Sequence, residues 1–138
     1  MRWFFLAVTM FIFAGCGSGV EWFPESNGSS GAPNGVTFAT KTITEAEALA
    51  GNFSQSDVQP VTGTNTAGWT VSVSDSTGSS SEYQIASGGF VSTPGTILPN
   101  QQLQIQHKCS TTIGGSVTTV VKIGTLTTTF TTQTVANP

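Results

Sequence analysis

The sequence predicts an all-β fold, and three observations support that prediction. Charged residues make up only 8% of the 138 residues, and the chain is rich in Thr, Val, Gly and Gln but poor in Leu, Lys and Glu, a composition that favours strands over helices. Short alternating segments separated by Gly, Pro and Asn recur at the spacing of about 8–12 residues that is typical of a β-sandwich. The length suits one domain. We therefore predict a single antiparallel β-sandwich of about seven or eight strands.

The first segment has the layout of an export signal. Arg2 supplies a positive charge, residues 3–13 form an apolar run, and the small pair Ala14-Gly15 precedes Cys16. The run is shorter than the ~20 residues of a membrane-spanning helix. The pattern resembles the bacterial lipoprotein signal, which implies a signal peptide over residues 1–15 and acylation of Cys16, whose acyl chains would hold the protein on a membrane. The alternative, a plain secretory signal, would need an A-x-A-like site, and none lies nearby.

Residues 16–35 are dominated by Gly, Ser, Asn and Pro, which predicts a flexible tether after the lipidated cysteine. Residues 20–23 are an apolar exception, which we interpret as a patch on the membrane or the domain, or else as a docking motif. Gly17 follows the cysteine. In the lipoproteins that this signal resembles, the absence of Asp at that position goes with export to the outer membrane, so the resemblance implies a bacterial envelope location.

The domain is expected over residues 36–138, and its first half mixes strand and helix signals. Residues 36–39 alternate and predict a first short strand. Thr44 and Glu47 fit a capping box, and Gly51 fits a helix stop, so a turn of helix or a loop is expected there. Pro60 confines the strand over residues 57–62 to an edge or a bulge.

The second half reads as successive strands. Trp69, Val71 and Val73 form the clearest inward-facing row, and the strands over residues 83–86 and 90–92 flank Ser87-Gly88-Gly89, whose glycines are expected to supply the positive φ of a tight hairpin. The remaining predicted strands cover residues 103–109, 117–123 and 126–132.

The stretch from about Val58 to Val135 also carries a resemblance. The segments 82–85, 87–90, 95–101, 103–107, 121–124 and 129–131 are similar to the small Ig-like β-sandwich modules that recur in bacterial lipoproteins and large secreted surface proteins. The resemblance implies an Ig-like fold and a cell-surface setting. Those modules share no catalytic residues, so it implies no activity.

His107 and Cys109, the single histidine and the cysteine outside the signal, are the first candidates for chemistry. Alternation places both on one strand face, but zinc needs three or four ligands, and a thiol nucleophile needs an orienting group and an oxyanion hole. We favour a structural role, with Cys109 at a strand end and His107 hydrogen-bonded nearby. A metal or thiol site at His107 and Cys109 is a remote alternative, and an intermolecular disulfide through Cys109 is a further possibility in an exported protein. No catalytic residue, metal or cofactor is expected.

Charge and aromatic content narrow the function classes. After the signal is removed, three lysines face seven acidic residues, which excludes a basic patch for nucleic acid. Trp69, Tyr83 and Phe90 are interpreted as core aromatics, with an exposed platform for a glycan or peptide as the alternative. Rows of Thr and Gln with few edge lysines favour strand-edge pairing with a partner or with another copy. The sequence thus predicts a lipid-anchored, non-enzymatic display, adhesion or structural module, with a carbohydrate- or peptide-binding module as the alternative.

Overall fold

A computed structural model describes residues 31–75 and 77–138. The predicted signal peptide, Cys16 and most of the predicted tether lie outside the described residues. The described residues form one short helix and nine strands. In chain order these are β1 (Lys41–Thr44), α1 (Glu45–Leu49), β2 (Phe53–Gln55), β3 (Gln59–Pro60), β4 (Trp69–Asp75), β5 (Glu82–Ile85), β6 (Gly95–Ile97), β7 (Gln102–Lys108), β8 (Ser116–Ile123) and β9 (Leu126–Val135).

The strands form two packed sheets, which confirms the all-β sandwich. The first sheet has the order β1-β9-β8-β4-β6. In the second, β7 is central, with β2 and β3 along one edge and β5 along the other. Every pair is antiparallel except β1 and β9, which run parallel from Lys41 opposite Thr132 to Thr44 opposite Val135. Among the described residues there are thus slightly more strands than the seven or eight predicted, and one pair departs from the predicted antiparallel arrangement.

The apolar core lies between the sheets, and its members come from both of them. Trp69 and Val71 are buried as predicted, and Val73 is half-buried against them. The buried apolar residues of this cluster are Val36, Val61, Trp69, Val71, Tyr83, Ile97, Leu103, Ile105, Val121, Ile123 and Phe130. Alternation along β4 and β7 creates this core because successive strand side chains point to opposite faces.

The helical signal at Thr44 is confirmed as a single short helix. The Glu47 N–H donates to Thr44 Oγ1 at 3.4 Å, while the Thr44 N–H donates to Glu47 Oε2 at 2.9 Å, which is a complete capping box. The Thr44 N–H and the Thr44 hydroxyl, which also donates to Glu47 Oε2 at 2.9 Å, lower the pKa of Glu47. The helix ends at Leu49, and Gly51 then takes a φ of 72°, a left-handed conformation that glycine adopts without steric cost.

The prediction of a strand over residues 36–39 is wrong, since the first strand begins at Lys41. Val36 is nevertheless buried, and Phe38 packs edge-on against Phe130 with 6.4 Å between ring centroids. The alternation therefore reflects which side chains enter the core. Alternation does not show whether the backbone pairs with a neighbouring strand, and the backbone of residues 36–39 forms no strand.

The tight hairpin differs from its prediction in two respects. The first is that residues 90–92, predicted as a strand, do not form one. Tyr83 and Val91 form an isolated bridge, each N–H donating to the other's carbonyl at 2.9 Å. The second is that the positive φ occurs at Ala86, with 51°, and not at Gly88 or Gly89. The Ala86 N–H donates to the Gln102 carbonyl at 2.8 Å, so pairing with the start of β7 determines where the chain turns.

Candidate functional site

The single histidine lies inside the sandwich and links its two sheets. His107 is on β7 and is fully buried. Its Nδ1 lies 2.7 Å from Thr119 Oγ1, and its Nε2 lies 2.8 Å from Thr132 Oγ1. Thr119 belongs to β8 and Thr132 to β9, so one imidazole of the second sheet contacts two neighbouring strands of the first.

The hydrogen bonding continues beyond the imidazole. Ser81 Oγ lies 2.5 Å from Thr119 Oγ1, and both hydroxyls are buried. The His107 ring also packs on Phe130, with 4.8 Å between centroids and 30° between planes. Within residues 31–75 and 77–138, no fully buried side-chain N or O atom lacks a hydrogen-bond partner. The His107 cluster, defined here as His107, Ser81, Thr119 and Thr132, is therefore a satisfied polar layer beside the apolar core.

Burial determines the charge state of this cluster. Removal from water lowers the pKa of His107 to about 4, against an ordinary value of 6.5, although the negative charge of Asp75 opposes that effect. For Asp75, burial acts to raise the pKa of the carboxyl group. Hydrogen bonds from the backbone N–H groups of Ser79 and Ser81 have the larger combined effect, so the pKa of Asp75 is below its ordinary value. At neutral pH the imidazole is uncharged, with one ring nitrogen donating and the other accepting.

This geometry is suited to holding strands together. Both ring nitrogens of His107 are occupied by threonine hydroxyls, so neither is left to take a proton from a thiol or to bind a metal. Cys109 lies just beyond the end of β7 and is half-buried, with a free thiol. No group of three His, Cys, Asp or Glu side chains arranged to hold a metal ion is found among the described residues. The hydrogen bonding of His107 and the position of Cys109 at a strand end are as predicted.

Cys109 contributes to the wall of a groove of about 660 Å³, which lies where an edge of one sheet faces an edge of the other. The groove runs between β1, an edge strand of the first sheet, and β2, an edge strand of the second. Lys41 lines it and makes a 3.0 Å ion pair with Asp57. Its lining residues include Ile43, Asn52, Phe53, Gln55 and Gln106. An intermolecular disulfide at Cys109 stays a prediction.

The alternative of an exposed aromatic platform fails at two of its three residues. Trp69 and Tyr83 retain only 4% and 2% of their surface in contact with solvent. The Trp69 indole N–H donates to the Gly31 carbonyl at 2.6 Å, and the Tyr83 hydroxyl donates to the Thr93 carbonyl at 2.8 Å. Burial also raises the pKa of Tyr83. Phe90 is half-buried. The core interpretation of Trp69 is confirmed, and an exposed platform built on Trp69 and Tyr83 is wrong.

The partners of His107 were absent from the residues singled out in the sequence. Thr119 and Thr132 belong to β8 and β9, where threonine occupies both faces, so residue type alone does not separate inward from outward positions. Two signals were available. Val117, Val121 and Ile123 fix the inward face of β8 and place Thr119 on it, and Phe130 fixes the inward face of β9 and places Thr132 on it.

Comparisons with known proteins give little further information. No protein-family model matches the chain, and no curated protein matches it. A crystal structure of domains 4 and 5 of the S-layer protein SbsC is similar to this chain, with 15% sequence identity and a TM-score of 0.41. The match covers 76% of this chain and 50% of that one, so the chain spans about half the length of the SbsC structure. Because that similarity is low, the fold class rests on the two sheets themselves.

A membrane-spanning helix is also absent from the part of the chain that the structure describes, where no helix has the length and apolar character required.

Proposed function

We propose that this protein is a non-enzymatic structural or adhesive module of a bacterial envelope, held on the outer membrane by acyl chains on Cys16. The observation that carries the proposal is the use of His107. The only imidazole in the chain is fully buried, and both of its nitrogens bond to hydroxyls of the opposite sheet. A side chain suited to acid–base or metal chemistry thus serves to join two sheets, which is the use expected in a scaffold.

The anchor is supported by the residues of the signal. A charged start, an apolar run and a small pair before Cys16 form the lipoprotein pattern. A single acyl chain gives marginal membrane binding, so stable attachment needs the several chains that a lipoprotein cysteine carries. The domain would then be displayed beyond residues 16–35 as one Ig-like sandwich.

Partner binding is proposed at the free edges of β1 and β2, the two strands that border the groove. β1 pairs only with β9, and β2 pairs only with β7 among the described strands, so each has a free edge. Such an edge can accept a strand from a protein partner or from a second copy. Lys41 points into the groove beside β1, and an inward charge of this kind restricts which strands can pair there.

Protease shaving of intact cells tests the anchor and the orientation together, with Cys16→Ser as the control. We expect the wild-type domain to be released by cleavage within residues 16–35 and detected by mass spectrometry, while the control protein lacks acyl groups and is found in the soluble fraction. A wild-type protein without acyl groups would refute the lipid anchor. A domain protected until the outer membrane is opened would refute surface display.

Cys109 is tested separately by electrophoresis of the exported protein without reductant. A disulfide-linked dimer that disappears in Cys109→Ser is expected if the thiol pairs between chains. Finding only monomer under these conditions would refute the intermolecular disulfide, and Cys109 would then be a half-buried free thiol.

A further inference from the structure

The outer face of the five-stranded sheet is covered with hydroxyl groups. Along β4, β8 and β9 the inward positions are buried or half-buried core residues, so the alternate positions point to solvent. All outward side chains of this sheet are Thr or Ser except Val120, Lys122, Gln133 and Val135. The hydroxyl face, as we name it, consists of Thr42, Thr44, Thr70, Ser72, Ser74, Thr96, Ser116, Thr118, Thr127, Thr129 and Thr131, all exposed or half-buried.

The strand register places these hydroxyls in two groups, because Lys122 and Val120 of β8 separate the hydroxyls of β4 from Thr127 and Thr129 of β9. Thr70 lies opposite Thr96, and Thr118 lies opposite Thr131, with 3.0 Å between the hydroxyl oxygens of the second pair. Neighbouring strands are about 4.8 Å apart, and alternate residues along one strand are about 6.7 Å apart. Each group is therefore a patch of neighbouring hydroxyls that can each donate and accept a hydrogen bond.

The charge of the hydroxyl face distinguishes it from an ordinary solvated surface. Lys122 is the one charged side chain among its outward strand positions, and Glu47 of α1 contacts it at the edge, where the Thr44 hydroxyl donates to the Glu47 carboxylate at 2.9 Å. By contrast, about a quarter to a third of a typical soluble surface is charged. A single lysine does not form the cluster of positive charges that binding to nucleic acid or anionic lipid requires. The face also lacks the Trp, Tyr, Met and Arg side chains that anchor protein interfaces.

We propose that the hydroxyl face binds the surface of an insoluble, neutral polysaccharide. Such a surface presents many uncharged hydroxyls in a repeating array, and it matches this face in charge and in hydrogen-bonding chemistry. Each hydrogen bond is weak, so useful affinity comes from many simultaneous contacts on one solid surface. The proposal deepens the adhesive role and rests on it.

The test measures depletion of the purified full-length protein, kept in detergent, by microcrystalline cellulose. Thr127→Val with Thr129→Val removes two exposed hydroxyls and keeps two β-branched side chains, and Thr111→Val is the matched control in an exposed loop outside the face. We expect binding to weaken about fivefold for each hydroxyl removed from the face. The control variant should bind as wild type does, and thermal melting should verify that both variants fold.

Three results would overturn the proposal. Cellulose that removes no wild-type protein would refute neutral polysaccharide binding, and equal binding by wild type and the double variant would refute the hydroxyl face as the site. Binding that falls steeply with added salt, or that is stronger on carboxymethylated cellulose, would show that charge and not hydroxyls carries it. The assay does not depend on Cys16 or on orientation in the membrane. A negative result would therefore refute polysaccharide binding without refuting the lipid anchor, which the shaving experiment tests.

Discussion

Lowering the pH should destabilise this domain through His107 before it does so through Glu47 and Asp75, the two carboxylates with lowered pKa values. The pKa of His107 is about 4 in the folded protein, and its ordinary value is 6.5. Between these two values the unfolded chain binds a proton that the folded protein excludes, so the free energy of unfolding falls as the pH falls. The loss begins near the unfolded pKa and is complete below the folded one.

The magnitude follows from the two pKa values. One pKa unit corresponds to about 1.4 kcal/mol, so the complete loss is on the order of 3 kcal/mol, of which about 2 kcal/mol appears between pH 7 and pH 5. Glu47 and Asp75 have lowered pKa values, so their contributions are lost only as the pH falls through and below their ordinary values of 4.5 and 3.8. The interval from pH 7 to pH 5 therefore isolates the imidazole.

Urea unfolding at pH 7, 6 and 5 measures this loss, and His107→Leu is the informative variant. Leucine cannot titrate, so its stability should be nearly constant over that interval. The variant should lose about 1–3 kcal/mol at pH 7 because Thr132 is left without its partner. His107→Gln, which keeps a polar side chain, serves if the leucine variant does not fold. A wild-type stability that is flat from pH 7 to pH 5, or an equal slope in the variant, would refute the reasoning.

Three further predictions concern stability, each measured by chemical or thermal unfolding. Ile105→Ala should cost about 2–5 kcal/mol because it leaves a cavity at a fully buried position, and a loss below 1 kcal/mol would contradict its place in the core. Gly124→Ala should lower the melting temperature, because φ is 58° there and an added Cβ would lie 2.8 Å from Trp69 Cδ1; an unchanged value would contradict that contact. Thr44→Ala should cost about 1 kcal/mol by removing the helix cap, and Thr42→Ala, on the same strand, controls for the loss of a hydroxyl.

Local patterns predicted much of the fold. The alternation of Trp69 and Val71 gave the correct inward face of β4, and the pairing of Thr44 with Glu47 gave the correct helix start. Patterns failed where long-range pairing decides the outcome. The parallel pairing of β1 with β9 joins residues about 90 positions apart, and no local signal reports it.

The His107 cluster was only partly predictable. The sequence placed His107 and Cys109 on one face of their strand and predicted that His107 is hydrogen-bonded, and the hydrogen bonding is confirmed. Alternation with apolar neighbours could place Thr119 and Thr132 on inward faces, but no local pattern shows that these two threonines meet the imidazole. Only the register of β8 against β9 brings Thr119 and Thr132 to the same imidazole.

The parallel pairing of β1 and β9 also determines how the domain carries tension. The chain enters β1 at Lys41 and leaves β9 at Val135, and these residues lie at opposite ends of the shared ladder. A pull applied along the chain between these two points slides the strands lengthwise past each other and loads their hydrogen bonds together. In an antiparallel pair pulled from one end, the bonds would break one after another. The strand nearest the proposed tether is therefore joined to the sandwich in a shear geometry, which would serve the proposed adhesive role.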